Sequence, residues 1–263
     1  MSNDRTLTYL ALAELSARWA AGRGHGVEVG LTGAELRVFS QNGEDGVLQA
    51  LLARVGVSSR RFVEFGAETG REGNCVFLAD VLGWTGLFME ADPSSFARLS
   101  TKYRDLPGVQ TLQAGVTPAN INDLLTESGM TGEIDVLSID IDGHDYWVWK
   151  AISAVNARVV VIEYNAHVRY PDRQVQPLDE VDPWNGTDFY GASLGALEHL
   201  ANDLGYALVH TELAGVNAFF VRADLAEGLP SGGAVPRRAP NFFLLGEGHP
   251  PDTSGRRFID PVT

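Results

Sequence analysis

Cysteine is almost absent from this 263-residue chain. The single one, Cys75, excludes an internal disulfide and a thiolate metal cluster, and it fits a reducing, cytoplasmic setting. Long apolar runs are missing too. None reaches the roughly 20 residues of a membrane span, so no transmembrane segment is expected. The first 25 residues lack a basic start followed by an apolar core, so no secretory leader is expected. Basic charge is scarce: Lys+Arg 20 against Asp+Glu 34 gives a net charge of −14. Only short pairs such as Arg60-Arg61 and Arg237-Arg238 occur, whereas nucleic-acid binders carry a basic stripe for phosphate contacts. DNA, RNA and anionic membranes are therefore not expected partners. The acidity itself reads as solubility. An internal repeat is also lacking.

What is present is a chain 44% hydrophobic and 21% charged, enough for one large α/β domain and too apolar for disorder. Residues 5–22 have apolar spacing near 3.6 and predict a helix that caps the core or forms a dimer face. A second helix follows Ser40-Gln41-Asn42-Gly43-Glu44-Asp45, with Ser40 or Asn42 as its cap. Strands are then predicted at 61–65, 86–90, 109–113, 134–141 and 158–164. The helices between them fall at 74–82, 93–103, 119–128 and 146–154. This alternation implies a parallel sheet covered on both faces. Residues 165–190 hold Pro171, Pro177 and Pro183 and little periodicity, which suggests a lid or a surface insertion. A helix over 191–204, opened or capped by Ser193, leads to strands 206–211 and 217–221, joined as an antiparallel hairpin. The Gly/Pro-rich tail after Ala223 has one apolar island, 241–245, and should pack on the domain or a partner subunit.

In parallel sheets ligands sit beyond the carboxyl ends of the strands. The first such end carries Glu64-Phe65-Gly66-Ala67-Glu68-Thr69-Gly70. Its Gly-x-x-x-Gly spacing departs from the dinucleotide fingerprint. The second strand ends in Glu90, an acid able to accept hydrogen bonds from a ribose diol. Ribose belongs to both nicotinamide dinucleotides and S-adenosylmethionine (SAM). The acids Glu64 and Glu68 repel phosphate and suit a sulfonium and an ammonium group, which favours SAM. Glu64 also reads as an acid stabilised at a helix N-terminus.

The alternation, the terminal hairpin and the acidic turn look like a class I SAM-dependent methyltransferase. Four stretches narrow the likeness: Ser40-Gln41-x-x-Glu44-Asp45, Phe62-Val63-Glu64-Phe65-Gly66-Ala67, Gly83-Trp84-x-Gly86-Leu87-x-x-Glu90-x-x-Pro93-x-x-Phe96, and Ile139-Asp140-Ile141-Asp142-Gly143-x-Asp145-Tyr146. In this order over residues 40–165 they resemble the FkbM-like methyltransferases, as do Gly191-Ala192-Ser193-Leu194 and 215–222. The pattern departs at Glu68-Thr69, where that family more often has Asn or His followed by Asp or Ile. The resemblance implies a Rossmann-like fold with a mostly parallel seven-stranded sheet, a C-terminal antiparallel hairpin and helices on both faces. It implies that Glu64, Gly66 and Glu68, with Ala67 and Gly70, line the methionine part of SAM. Glu90 and Ala91 would hold the ribose, Gln113, Ala114 and Gly115 would sit near adenine, and Asp140 would face both cofactor and acceptor.

The densest polar cluster is Asp140, Asp142, His144 and Asp145. Asp140 and Asp142 alternate along a strand end and share a direction only if the chain turns, which Gly143 permits. His144 is the natural general base, with Asp140 and Asp142 beside it; its alternative is to cap the next helix or bond a carboxylate. Asp140 or Asp142, with Glu163 and Asn165, would make an all-oxygen set suited to Mg²⁺, an arrangement some class I O-methyltransferases use. Tyr164, His167 and Tyr190 are the expected acceptor contacts, with Tyr170, Trp184 and Phe189 as further aromatics of the lid. His25, His199, His210 and His249 carry no motif and read as structural.

Three regions follow: 1–57, an N-terminal helical cap or oligomerisation region; 58–223, the SAM-binding domain with 165–190 as acceptor loop; and 224–263, the tail. The expected activity is O-methyl transfer to a small molecule such as a sugar, with N-methylation of an amine as the alternative. A dinucleotide oxidoreductase, a metal-dependent enzyme that makes little use of SAM and a non-catalytic SAM-binding module are rivals. The apolar N-terminal helix points to a homodimer or larger homo-oligomer.

Overall fold

The structure, a computed structural model, describes residues 2–21, 30–242 and 244–262. The expected helix end at Gly22, His25 and Phe243 of the apolar island lie outside these. Three helices precede the sheet: α1 (Ser2–Ala21), α2 (Leu31–Ala34) and α3 (Glu44–Val55). Then come β1 (Arg61–Phe65), α4 (Val76–Asp80), β2 (Thr85–Glu90), α5 (Pro93–Tyr103), β3 (Val109–Gln113), α6 (Ile121–Glu127), β4 (Gly132–Ile139), α7 (Asp145–Ala151) and β5 (Val155–Glu163). After a long irregular stretch follow α8 (Leu194–Leu204), β6 (Tyr206–Thr211) and β7 (Asn217–Arg222).

The seven strands lie in the order β3-β2-β1-β4-β5-β7-β6. The first five are parallel, and β7 runs antiparallel between β5 and β6. This is the Rossmann-like, mostly parallel sheet with a C-terminal hairpin that the sequence implies. Successive side chains point to opposite faces. Val63, Phe65, Leu87, Met89, Val160 and Ile162 therefore pack on one side with α6, α7 and α8. Phe62, Phe88, Val159 and Val161 pack on the other with α3, α4 and α5. Both faces being covered is why the strands read as near-continuous apolar runs. Among the described residues no helix is long and apolar enough to cross a membrane.

Several boundaries move for identifiable reasons. The β4 strand stops at Ile139, two residues early, because Asp140–Asp142 leave the sheet in a turn. The amides of Ser153 and Ala154 donate to Asn122 Oδ1, which ends α7 at Ala151 and lets β5 begin at Val155. Asn74 and Cys75 donate their amides to Glu64 and so precede α4 rather than join it. Gly43, not Ser40 or Asn42, holds the N-cap position of α3, yet Ser40 Oγ still accepts the first-turn amide of Asp45 at 3.1 Å. Asp45, inside the first turn, reaches back to the amides of Val38, Phe39 and Ser40. Ser193 does cap α8, accepting from Ala196 N–H. The tail packs on the lid: Val175 bridges both Ala192 and Ile259, and Arg256 lies 4.6 Å from the Phe189 ring.

At the amino ends of the strands, Asp135 is fully buried and accepts the amides of Ser58, Ser59 and Arg60 together with the Ser59 hydroxyl. An amide in its place points a donor at donors. Asp135→Asn should lower stability by about 3 kcal/mol, read from the urea midpoint. A loss under about 0.5 kcal/mol would show that the carboxylate is not what holds this loop.

Candidate active site

The chain runs outward from β1 to β3 and then crosses back to β4, so the switch point lies between β1 and β4. At the carboxyl ends of β1 to β5 there is a cavity of about 1150 Å³. That exceeds the usual ~300–1,000 Å³ of a single-ligand pocket. The exits of β1 and β4 touch here: a Cβ on Gly66 would lie 1.8 Å from the Asp140 carbonyl oxygen, and Gly66 has φ +68°. Only glycine meets both demands.

Two carboxylates organise the cofactor-type half. Glu64, on β1, accepts the amides of Asn74 (2.8 Å) and Cys75 (2.9 Å) just before α4. The helix-terminal position read from the sequence is thus present, while Glu64 also lines the cavity. Glu90, at the end of β2, accepts Glu68 N–H (2.7 Å) and Asp92 N–H (2.6 Å). Of the expected cofactor residues, Glu64, Gly66, Glu68, Glu90, Ala91, Ala114, Gly115 and Asp140 line the cavity. Ala67, Gly70 and Gln113 are not among its lining residues. Gly70 instead packs on α5, where a Cβ would lie 2.7 Å from Leu99.

The acidic turn after β4 is held from below by buried Asp145, which accepts Ile141 N–H (2.9 Å) and Gly143 N–H (3.0 Å). The turn expected at Gly143 is made by Asp142 itself, at φ +56°. Carboxylate oxygens of Asp140, Asp142 and Glu163 come within 4.8 Å of one another. Burial first, then the negative charge of neighbouring acids, with Asp145 acting on all three, pushes these acids above the ordinary carboxylate range. Glu163 Oε2 is buried with no hydrogen-bond partner. Asn165, expected in this set, is engaged elsewhere. Its Nδ2 donates to the carbonyls of Asp188 and Tyr190, and its Oδ1 accepts His167 N–H.

The lid and tail form the roof. Lid carbonyls receive Trp147 Nε1 at Gln176 (2.8 Å) and His144 Nε2 at Pro177 (3.2 Å). His144 is the backbone N-cap of α7, makes no side-chain cap bond and lines the cavity. Tyr190 lines it too. Tyr164, expected beside it, lies in the core at 1% exposure. His167 stands behind the lining, where its Nε2 accepts His249 N–H at 3.1 Å. His249 and Phe242, from the tail, line the cavity together with Trp184 of the lid. Nothing in the sequence around His249 marks this role. Gln41 and Asn42 also line it, and here a signal existed: they sit inside the Ser40–Asp45 motif.

Among the described residues ten carboxylate side chains and no lysine or arginine line the cavity. No protein-family model matches the chain, and no curated protein sequence matches it. Solved structures do. The N-terminal domain of EvdMO1 with S-adenosylhomocysteine (SAH) bound aligns over 70% of this chain and 81% of its own, at 14% identity and a TM-score of 0.41. A SAM-dependent methyltransferase from Aquifex aeolicus aligns over 66% and 89%, at 12% identity and 0.41. An RNA methyltransferase from Salinibacter ruber in complex with SAH aligns over 51% and 84%, at 17% identity and 0.33. At these values the likeness concerns fold alone.

Burial lifts Glu64 from 4.5 to about 7. In an unfolded chain it ionises near pH ~4.3. Between those values the folded state keeps a proton that the unfolded chain has lost, so its contribution to stability declines as pH rises. Burial lowers the proton affinity of His167 and His249 and acts in the opposite sense, so a comparison with a Glu64 variant isolates Glu64. From pH 5 to 7.5 the ligand-free wild type should lose roughly 2 kcal/mol relative to Glu64→Gln. Parallel pH profiles of the two urea midpoints would contradict a proton held at Glu64.

Proposed function

We propose that this protein is a SAM-dependent methyltransferase that methylates a hydroxyl of a small molecule, a sugar or another polyol. The observation that carries this reading is a cavity at the switch point lined by ten carboxylates and no lysine or arginine, with Glu90 at the end of β2. Such a wall repels the pyrophosphate of a dinucleotide and attracts a sulfonium and an ammonium group. SAM, when bound, supplies an electrophilic methyl group. Each Glu90 oxygen uses one lone pair on a backbone amide and retains capacity for the ribose hydroxyls. Glu68 is raised by burial and by Glu72, Glu90 and Asp142, and a cationic ligand relieves that repulsion. Ala114 and Gly115 leave open space for a flat base. The resemblance of residues 40–165 to the FkbM-like enzymes supports the same assignment.

For a hydroxyl acceptor a proton must be removed as the methyl group transfers. The Pro177 carbonyl can only accept, so in the neutral His144 ring Nε2 carries the hydrogen and Nδ1 is the basic nitrogen. The residues at the ends of β4 and β5 also fit a hard divalent cation. Asp140, Asp142 and Glu163 offer clustered oxygens, and the Glu163 Oε2 lone pairs have no protein partner. Mg²⁺ held there would acidify a hydroxyl brought beside it. The lack of a basic surface cluster and the enclosed cavity favour a small molecule over nucleic acid.

The test is calorimetric titration with SAH. Micromolar binding is expected, weakened 10- to 100-fold in Glu90→Ala, in keeping with about 1.5–3 kcal/mol for hydrogen bonds to a charged group. No binding by the wild type in the presence or absence of Mg²⁺ would sink the methyltransferase reading. Once an acceptor is found, His144→Asn should lower kcat by ~10²-fold or more while SAH affinity holds. An unchanged kcat would remove His144 from the proton transfer.

A further inference from the structure

The roof of the cavity has its own chemistry. Four aromatic side chains form one wall there. The His249 ring is 4.6 Å from both Trp184 and Phe242 and 5.7 Å from Tyr190. All four line the cavity, and Trp184 is still 37% exposed. The lid adds Glu180 and Asp182 on either side of Val181. On the floor, Asn217 is 3% exposed and lines the same space. Its Nδ2 donates to Glu44 Oε1, which fixes the orientation of the amide. That leaves Oδ1 buried with no hydrogen-bond partner. Asn217 pairs in register with Glu163, so this oxygen sits beside the acid cluster.

An unpartnered buried acceptor calls for a donor from the ligand. Aromatic faces and desolvated carboxylates attract a cation. With no lysine or arginine among the described lining residues, none of them offsets a phosphate or a carboxylate on the ligand. From these three features we infer that the acceptor is a small, phosphate-free molecule bearing a protonated amine, such as an amino sugar or amino polyol. Its ammonium group donates to Asn217 Oδ1, and its ring lies against the Trp184–His249 wall. Nucleoside-diphosphate-linked and coenzyme A-linked acceptors are refused by the same charges. This inference rests on the methyltransferase reading and names the acceptor class for it.

The test uses the full chain saturated with SAH. Matched probes are titrated by tryptophan fluorescence and calorimetry at low salt: D-glucosamine, streptamine and spermidine, each with its N-acetyl counterpart, and glucosamine 6-phosphate. The free amine of at least one pair should bind ten-fold or more tightly than its N-acetyl partner. Glucosamine 6-phosphate should bind more weakly than glucosamine. The preference should shrink several-fold in Trp184→Ala, a change at a half-exposed lid position, and in Glu180→Gln/Asp182→Asn. Equal binding of amine and N-acetyl forms, tighter binding of the phosphate, or binding of no amine in the panel would overturn the acceptor assignment. Failure of SAH itself to bind is a separate result and falls on the methyltransferase reading.

Discussion

Loop amides that leave the sheet must find acceptors, and in this protein buried carboxylates supply them. Asp135 gathers the amides of Ser58 to Arg60, and Asp45 those of Val38 to Ser40. Asp145 holds Ile141 and Gly143, Glu64 holds Asn74 and Cys75, and Glu90 holds Glu68 and Asp92. Glu212 takes Ala214, Val216 and Asn217. An ionised carboxylate is acceptor-only and has about four lone-pair sites, so one side chain can tie a whole turn. Part of the −14 charge, read from the sequence as solubility, is therefore structural. Burial works against each clamp and the amide bonds work for it. That balance leaves Asp45 at about 6 and Glu64 and Glu212 at about 7.

The clamps constrain the site because several of them converge on it. Glu64 and Glu90 line the cavity, and Asp145 supports the turn that presents Asp140 and Asp142. Acids recruited to shape loops thus also concentrate negative charge where the strands end. Among the described residues no arginine or lysine enters to neutralise it. Burial, and after it this repulsion, raises the affinity of Asp140 and Glu163 for protons. A site that breaks the rule of pairing buried charge is where function is expected, and a cationic ligand is the partner proposed for it. The tying of the loops and the negative charge of the cavity follow from one electrostatic circumstance.

The sheet was legible because its signals are local. Apolar runs at 61–65, 86–90 and 109–113 coincide with β1, β2 and β3 to within a residue. Part of the cavity lining was legible for the same reason, since Gly66 and Asp140 directly follow β1 and β4 and Glu90 ends β2. What failed locally also failed for physical causes. Asn122, some thirty residues away, ends α7 by capturing two amides. Gly70 shares the look of a ligand-binding glycine but is required by contact with α5. Asn165 has the right chemistry for a metal and the right position. Its hydrogen bonds to Asp188, Tyr190 and His167 are invisible without the lid's path.

The acceptor half was not legible because it is assembled by distant ties rather than by period. Val175 bridges Ile259, Asp188 and Asp252 hold one another's segments, and His249 lies on His167. None of these pairs shares an element or a spacing. They nonetheless do the same work as the clamps: backbone amides of one irregular segment are satisfied by the other, so neither needs helix or strand. A lid and a tail that complete each other in this way form a roof of fixed shape without regular structure. The aromatic wall exists only as their joint product, with Trp184 and Tyr190 from one segment and Phe242 and His249 from the other. The shape of this wall is accordingly decoupled from the sheet. Substitutions in either segment can reshape it while the carboxylates that hold the loops at the strand ends stay as they are.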